Sequence, residues 1–266
     1  MGFLIKRIMA FVFNLCGISN LLLWLEHRKY GNAYIRIINY HDTKQDNIAN
    51  FRKQLVWFKR HYHNVTFGEF EAFLCKGVLD GDKPGIMLTF DDGLIGNYEH
   101  GRAVLNEMNM TGYFMVSSDL IGTKGYMNAE QLRELIDEGH IIGCHTSTHH
   151  RMNIKDDRST LEYEIVSAKD KLEALLGIPV PIFCWCGGEE YTYTLNAQVM
   201  IEKAGYQYGF MTNSKPVTKE TDRFHIQRTN VEDGWSIALA KFQICGMLDY
   251  KFTRKRKRVN SITHGG

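Results

Sequence analysis

The chain has 266 residues, 44% of them hydrophobic, with 24 glycines, only 4 prolines and a formal net charge of +2. That length suits one large core, and no proline-rich linker, low-complexity run or fixed-period repeat marks a second domain. Bulk charge points to no partner, and Cys16, Cys75, Cys144, Cys184, Cys186 and Cys245 lack the dense spacing of a disulfide-stapled secreted domain, so they read as free thiols.

Residues 3–25 are strongly apolar. No small-x-small cleavage site follows them, and the 18 residues from Ile8 to Leu25 are interrupted by Asn14, Gly17 and Asn20, which is marginal for a spanning helix. On a helical projection Lys6, Asn14, Gly17, Asn20 and His27 form a narrow polar stripe, and Leu4, Ile8, Phe11, Leu15, Ile18 and Leu22 face away from it. The pattern predicts an amphipathic helix over 1–30 that lies in a membrane interface or packs on the domain's own surface. Lys6-Arg7 precede it and Arg28-Lys29 follow it, so charge gives no orientation.

From 31 to 250 strand and helix patterns alternate. Tyr34–Tyr40 reads as a strand and Ile48–Tyr62 as a helix with Phe51, Leu55 and Phe58 on one face. Ile86–Phe90 is a buried strand, Leu94–Met108 a helix and Thr111–Val116 a strand. A helix opens at Asn128 with Gln131 three residues on and ends at Gly139; the next opens at Ser159 with Glu162 and ends at Gly177. Ile141–Cys144, Val180–Trp185, Tyr206–Met211 and Phe224–Val231 read as strands, with helices at Leu195–Ala204 and from about Trp235. Such alternation means parallel strands joined by helical crossovers, and about seven strands suit a barrel with its chemistry at the strands' C-terminal ends. Residues 251–266 form a basic tail with six positive charges between Lys251 and Arg258. It is expected to be solvated or to meet anionic headgroups; no recognition motif accompanies it, so nucleic acid is not an expected partner. Free thiols and paired basic ends favour peripheral attachment at the cytoplasmic face of a membrane, with signal-anchored export as the alternative.

Reactive residues cluster at the predicted strand ends: His41-Asp42, Asp91-Asp92 and His145. Side chains of adjacent residues diverge at a strand end, so one carboxylate can ligate an ion while its neighbour faces the water. His145 and His149 are four apart, a spacing that on a helical turn brings both imidazoles to one face; His149-His150 leaves the second ligand ambiguous. Two histidines and one carboxylate leave a position open, as in catalytic zinc sites, though cobalt or nickel also fit.

At these residues the sequence resembles the polysaccharide deacetylase family, the NodB-homology domain of carbohydrate esterase family 4, and most closely its poly-N-acetylglucosamine deacetylase branch. Thr89-Phe90-Asp91-Asp92-Gly93 is similar to the TFDDG motif, and His145-Thr146-Ser147-Thr148-His149 to H-[ST]-x-x-H. Tyr40-His41 is similar to a Tyr-His pair of that branch. The resemblance implies a distorted (β/α)7 barrel, Asp91 as catalytic base, a divalent metal held by Asp92, His145 and His149, and removal of an N-acetyl group from an N-acetylhexosamine in a glycan or glycolipid. Two motifs depart. Cys184 stands where the base-orienting arginine would be, with Gly187 left to supply the oxyanion N–H, so a poorly oriented base is expected. The histidine of the C-terminal motif, the usual general acid, is missing; His41 is the first replacement and His225 the second. Trp185 and Tyr126 are candidate sugar platforms. Hydrolysis of another small amide or formamide, and an inactive carbohydrate-binding protein, stay open beside the deacetylase.

Overall fold

The computed structural model describes residues 2–264. The N-terminal segment forms two helices, α1 (Phe3–Leu15) and α2 (Ile18–Tyr30), rather than the one expected. Gly17, at φ +71°, takes the left-handed conformation that only glycine adopts freely, and the helices meet at a 75° bend there.

The strands are β1 (Ile35–Tyr40), β2 (His63–Asn64), β3 (Gly85–Phe90), β4 (Gly112–Val116), β5 (Ile141–Cys144), β6 (Ile182–Cys184), β7 (Tyr208–Met211), β8 (Ile226–Gln227) and β9 (Thr229–Asn230). Between and after them run α3 (Ile48–His61), α4 (Phe67–Lys76), α5 (Arg102–Glu107), α6 (Ala129–Asp137), α7 (Arg158–Leu161), α8 (Ala168–Leu176), α9 (Leu195–Lys203), α10 (Ile237–Ile244), α11 (Met247–Lys251) and α12 (Thr253–Thr263). All strand pairs are parallel, in the order β8-β7-β6-β5-β4-β3-β1-β9, with β2 added beside β3. β8 and β9 are two halves of the one expected last strand, broken at Arg228. The first half pairs with β7 and the second with β1, so this short segment brings the two ends of the sheet together in a nearly closed barrel.

Alternate side chains of each strand face opposite sides. Ile35, Ile37, Met87, Tyr113, Met115, Ile182 and Phe210 form an inner cluster, joined by Phe70 and Phe73 of α4. Ile38, Leu88, Phe90, Phe114 and Phe183 face outward and pack on helical residues such as Phe51, Leu55, Leu132 and Leu172. Parallel strands buried on both faces account for the near-continuous apolar runs.

The Asn128–Gln131 capping box is present, with Gly139 in the left-handed region just beyond α6. A second box, Thr66–Glu69, opens α4; each such cap is worth about 1 kcal/mol. The helix expected from Ser159 instead starts two residues earlier, because Asp157 accepts from the Thr160 N–H at 2.8 Å and serves as its N-cap. A π-turn at Glu162–Ser167 then joins α7 to α8. The basic run is not a free tail. It folds as α12, with Val259 and Thr263 buried, Arg256 donating to the Asn213, Ser214 and Asp249 carbonyls, and Arg258 paired with Glu190.

Candidate active site

The reactive residues meet at the C-terminal mouth of the barrel. Along β3 the inward alternation of Met87 continues through Thr89 to Asp91, so Asp91 points into the barrel and the next residue does not. Asp92 turns away at φ +72°, a costly conformation for a non-glycine residue that recurs at Thr146 and His149 (φ +65° and +63°). Strain of this kind persists only where the surroundings hold it in place.

The His145–His149 segment is an irregular loop and not the helical turn its spacing suggested. Glu164, in the π-turn, accepts from the Ser147 and Thr148 N–H groups at 3.0 and 2.9 Å and from the Thr148 hydroxyl at 2.7 Å. The loop so held brings both imidazoles to one carboxylate oxygen. His149 Nε2 lies 3.1 Å and His145 Nε2 3.4 Å from Asp92 Oδ1, a buried atom that otherwise lacks a hydrogen-bond partner. His145 Nδ1 donates to the Cys184 carbonyl at 2.9 Å, which leaves Nε2 free to ligate. His150 instead faces Asp156 at 3.0 Å, which removes the ambiguity over the second histidine.

The donor set fits a divalent ion. Two ligands about 2.1 Å from a tetrahedral ion stand about 3.4 Å apart, close to the spacing between Asp92 Oδ1 and each imidazole. The Cys186 thiol also lies within 4.8 Å of ligating atoms of His145 and His149, and Cys184 within 4.8 Å of Asp91 and His145. The carboxylate is the better third ligand. Burial would raise the Asp92 pKa, but the two imidazoles reverse this and hold it far below the usual range. Burial pushes the Cys184 thiol up instead, and only a thiolate ligates.

Asp91 does not lack a cation. Arg228, at the break between β8 and β9, donates to Asp91 Oδ1 at 2.6 Å and Oδ2 at 2.8 Å, and also to Thr89 Oγ1 and Asn39 Oδ1. Both partners are buried. Burial favours the neutral acid, but the Arg228 guanidinium, and then His145, outweigh it and hold the Asp91 pKa below the usual carboxylate value. The expectation of a poorly oriented base is therefore corrected: the guanidinium arrives from the last strand segment, and the buried Cys184 thiol sits 3.7 Å from Asp91 Oδ1.

A cavity of about 520 Å³ covers these groups. It is lined by Asn39, His41, Asp91, Asp92, His145, His149, Gly187, Thr212, Phe252 and Lys255, among others. His41 Nδ1 stands 3.5 Å from Glu232, and this partner, with Asp91 and Asp92 adding, raises its pKa against the opposing effect of burial. Gly187 reaches the cavity at φ +81°, its carbonyl held by Thr212 Oγ1 at 3.0 Å, while Lys255 donates to the Gly188 carbonyl. Three candidates fall away. Trp185 is 1% exposed, packed on Phe183 and Tyr193, so it presents no face to a sugar. Tyr126 does not line the cavity; Phe252 is the aromatic that does. His225 is buried against Thr263 and His264, away from the mouth. Tyr40 is core, stacked on Phe90 and bonded to Gln54 at 2.6 Å; only its neighbour His41 reaches the site. Sequence reasoning missed Arg228, Glu164, Phe252 and Lys255 as site residues, although Phe252 and Lys255 lay in the basic run it had singled out.

Residues 79–209 match the polysaccharide deacetylase family, a span that contains Asp91, Asp92, His145 and His149. This segment is a polysaccharide deacetylase domain. The chain is 25% identical over 219 residues to the Bacillus subtilis (strain 168) protein YxkH, covering 80% of this chain and 76% of YxkH. It is 23% identical over 238 residues to the poly-beta-1,6-N-acetyl-D-glucosamine N-deacetylase of Staphylococcus aureus (strain MRSA252), covering 77% and 81%. The barrel is similar to the Streptococcus pyogenes deacetylase PplD in complex with acetate, at TM-score 0.69 and 18% identity over 79% of this chain and 98% of that one. It is also similar to IcaB from Ammonifex degensii, at TM-score 0.67 and 21% identity over 79% of this chain and 97% of that one. These likenesses agree with the (β/α)7 barrel.

Proposed function

We propose that the chain is a metal-dependent hydrolase that removes the N-acetyl group from an N-acetylhexosamine in a glycan. The observation that carries this reading is the convergence of His145 and His149 on the orphaned Asp92 oxygen, beside an arginine-clamped Asp91, at the mouth of a deacetylase domain. Asp92, His145 and His149 would hold the ion, zinc by donor chemistry and cobalt or nickel as close fits. When bound, such an ion polarises an acyl carbonyl and acidifies water.

The rest falls to the chain's own groups. Asp91, kept ionised by Arg228, takes a proton at its free lone pairs as water adds to the acyl carbon. Gly187, in the cavity wall, would offer its N–H to the developing oxyanion. His41, whose protonated form Glu232 favours, gives a proton to the sugar nitrogen as the C–N bond breaks. Amide and water become acetate and a free amine, and no redox partner is needed. Phe252 supplies an aromatic side chain to the cavity wall that the sugar would enter. Arg228 supplies the cation that Cys184 does not, which removes the main motive for an inactive binding protein.

The test is acetate release from chito-oligosaccharides and β-1,6-linked N-acetylglucosamine oligomers by stripped, zinc-reloaded protein, beside Asp91→Asn and His145→Ala. Zinc-dependent release that both substitutions abolish is expected. No release from any N-acetyl sugar by protein that binds zinc tightly would reject the reading in favour of another amide. The cytoplasmic face is the side we propose, supported by the absence of any disulfide among six cysteines. Exposed Cys16 and Cys75 should then react with a membrane-impermeant maleimide only after cells are opened.

A further inference from the structure

α1 is fixed to the domain by one side only. Ala10 is buried against Leu239 and Phe242 of α10, Phe13 meets Phe242 edge-to-face at 5.2 Å, and Lys6 lies over the Trp235 ring. The opposite side is bare. Leu4, Ile8, Phe11 and Leu15, spaced by three or four residues, are 69%, 55%, 64% and 72% exposed. Beyond the bend, Leu21, Trp24 and Leu25 of α2 are exposed as well. Seven large apolar side chains bare on two successive helices are far more than the scattered exposure of an ordinary surface.

The inner side of the same helix reaches the catalytic mouth. Lys6 lines a cavity of about 200 Å³ with Arg228, Thr212, Asn230, Lys251 and Phe252. Thr212, Asn230 and Phe252 also line the catalytic cavity. Lys6 feels the charges of Lys251 and of Glu232, the partner of His41. The bare strip therefore stands about one helix diameter, roughly 10 Å, from the edge of the site.

We propose that α1 and α2 dock this chain in the plane of a lipid surface, and that the site thereby acts on N-acetylated sugar attached to a lipid or held at that surface. The substrate clause rests on the deacetylase reading; the docking does not. Lipid is favoured as the occupant by the shape and rim of the strip. No single helix among the described residues is long and apolar enough to cross a membrane, and the bent pair lies along the domain with its polar and packed side inward. Trp24, an interfacial residue type, sits beside Arg28, and Lys29 and Lys251 are exposed nearby in the chain or at the cavity, where anionic headgroups would meet them.

The experiment compares the full chain with the quadruple variant Leu4→Ser, Ile8→Ser, Phe11→Ser and Leu15→Ser, whose positions are solvent-facing and whose melting temperature should match the wild type. Wild type is expected to float with vesicles of phosphatidylcholine and phosphatidylglycerol, and the variant to lose about tenfold of its bound fraction. Release of acetate from a soluble chito-oligosaccharide should be the same for both, while release from an N-acetylglucosaminyl lipid in those vesicles should fall in the variant. Wild type that stays with the soluble fraction, or a variant that floats as well as wild type, would overturn the docking. So would a lipid-free dimer of the wild type that the variant abolishes on sedimentation, since the strip would then belong to a second copy. Flotation with no acetate release from either substrate would overturn the deacetylase reading and the substrate clause but leave the docking established.

Discussion

Arg228 shows what a single residue contributes here. Its guanidinium spans both oxygens of Asp91 in a buried, two-point pair. Removing one member of such a pair leaves a charge without a partner and costs about 3–5 kcal/mol. Arg228→Met should lower unfolding stability in urea by that amount at neutral pH. The sign with pH follows from the carboxyl. In the wild type its pKa is depressed below the ordinary 3.8, so the pair stabilises above that value and the gain is lost as pH falls through the folded pKa. In the variant burial is opposed only by His145 and His41, so the pKa rises relative to the wild type and the deficit should narrow as pH falls and Asp91 takes up a proton. A base that works only when ionised should then show its acidic rate limb moved to higher pH, and Arg228→Lys should restore part of the stability but not the two-point geometry. An unchanged acidic limb would show that Arg228 does not set the state of Asp91. None of this was legible in the sequence. A motif comparison inspects the place where the cation usually stands, and Cys184 stands there; nothing about Gln227-Arg228-Thr229 tells that the strand breaks and turns a guanidinium inward.

At the scale of elements, the alternating pattern carried the barrel, because strands buried on both faces must be apolar and the crossover helices must not be. The capping pair Asn128–Gln131 likewise carried its boundary. Tertiary contacts decided the rest. The two-residue β2 has no periodicity to detect, and α4 was passed over although Thr66 and Glu69 carried its signal. Four-residue spacing of His145 and His149 marked the two imidazoles that meet but not their backbone, because a loop with left-handed residues can also converge two imidazoles when a buried acceptor holds it. That acceptor is Glu164. Glu164→Ala should leave three donors of the loop unheld and weaken zinc about 10–100-fold, the usual effect of losing a supporting contact, as read by competition with a chromogenic chelator. Unchanged zinc affinity would show that the loop is held by its own backbone.

For the whole molecule, the two ends of the chain matter in opposite ways. The N-terminal helices leave an apolar strip outside, while the basic C-terminal run, which by composition resembled a free tail, is folded across the mouth by Val259, Arg256 and Arg258. Its Lys255 holds the Gly188 carbonyl at the rim of the site. Lys255→Met should therefore raise KM several-fold with kcat changed by less than about twofold, the mark of lost uniform binding; a loss confined to kcat would instead place Lys255 among the groups that act on the transition state.

The break at Arg228 also sets an order of events during synthesis. The strand segment that joins β7 to β1 and delivers the counter-charge of Asp91 comes near the end of the chain. A nascent polypeptide still short of that point carries the paired aspartates and both histidines, yet it must either leave Asp91 in water or bury it unneutralised. Ribosomal stalling or premature termination before Arg228 thus yields a product with every proposed ligand of the ion and no closed barrel around it. Such a fragment lacks the residue that neutralises Asp91, and its exposed apolar surface and unpaired strand edges make it prone to aggregate.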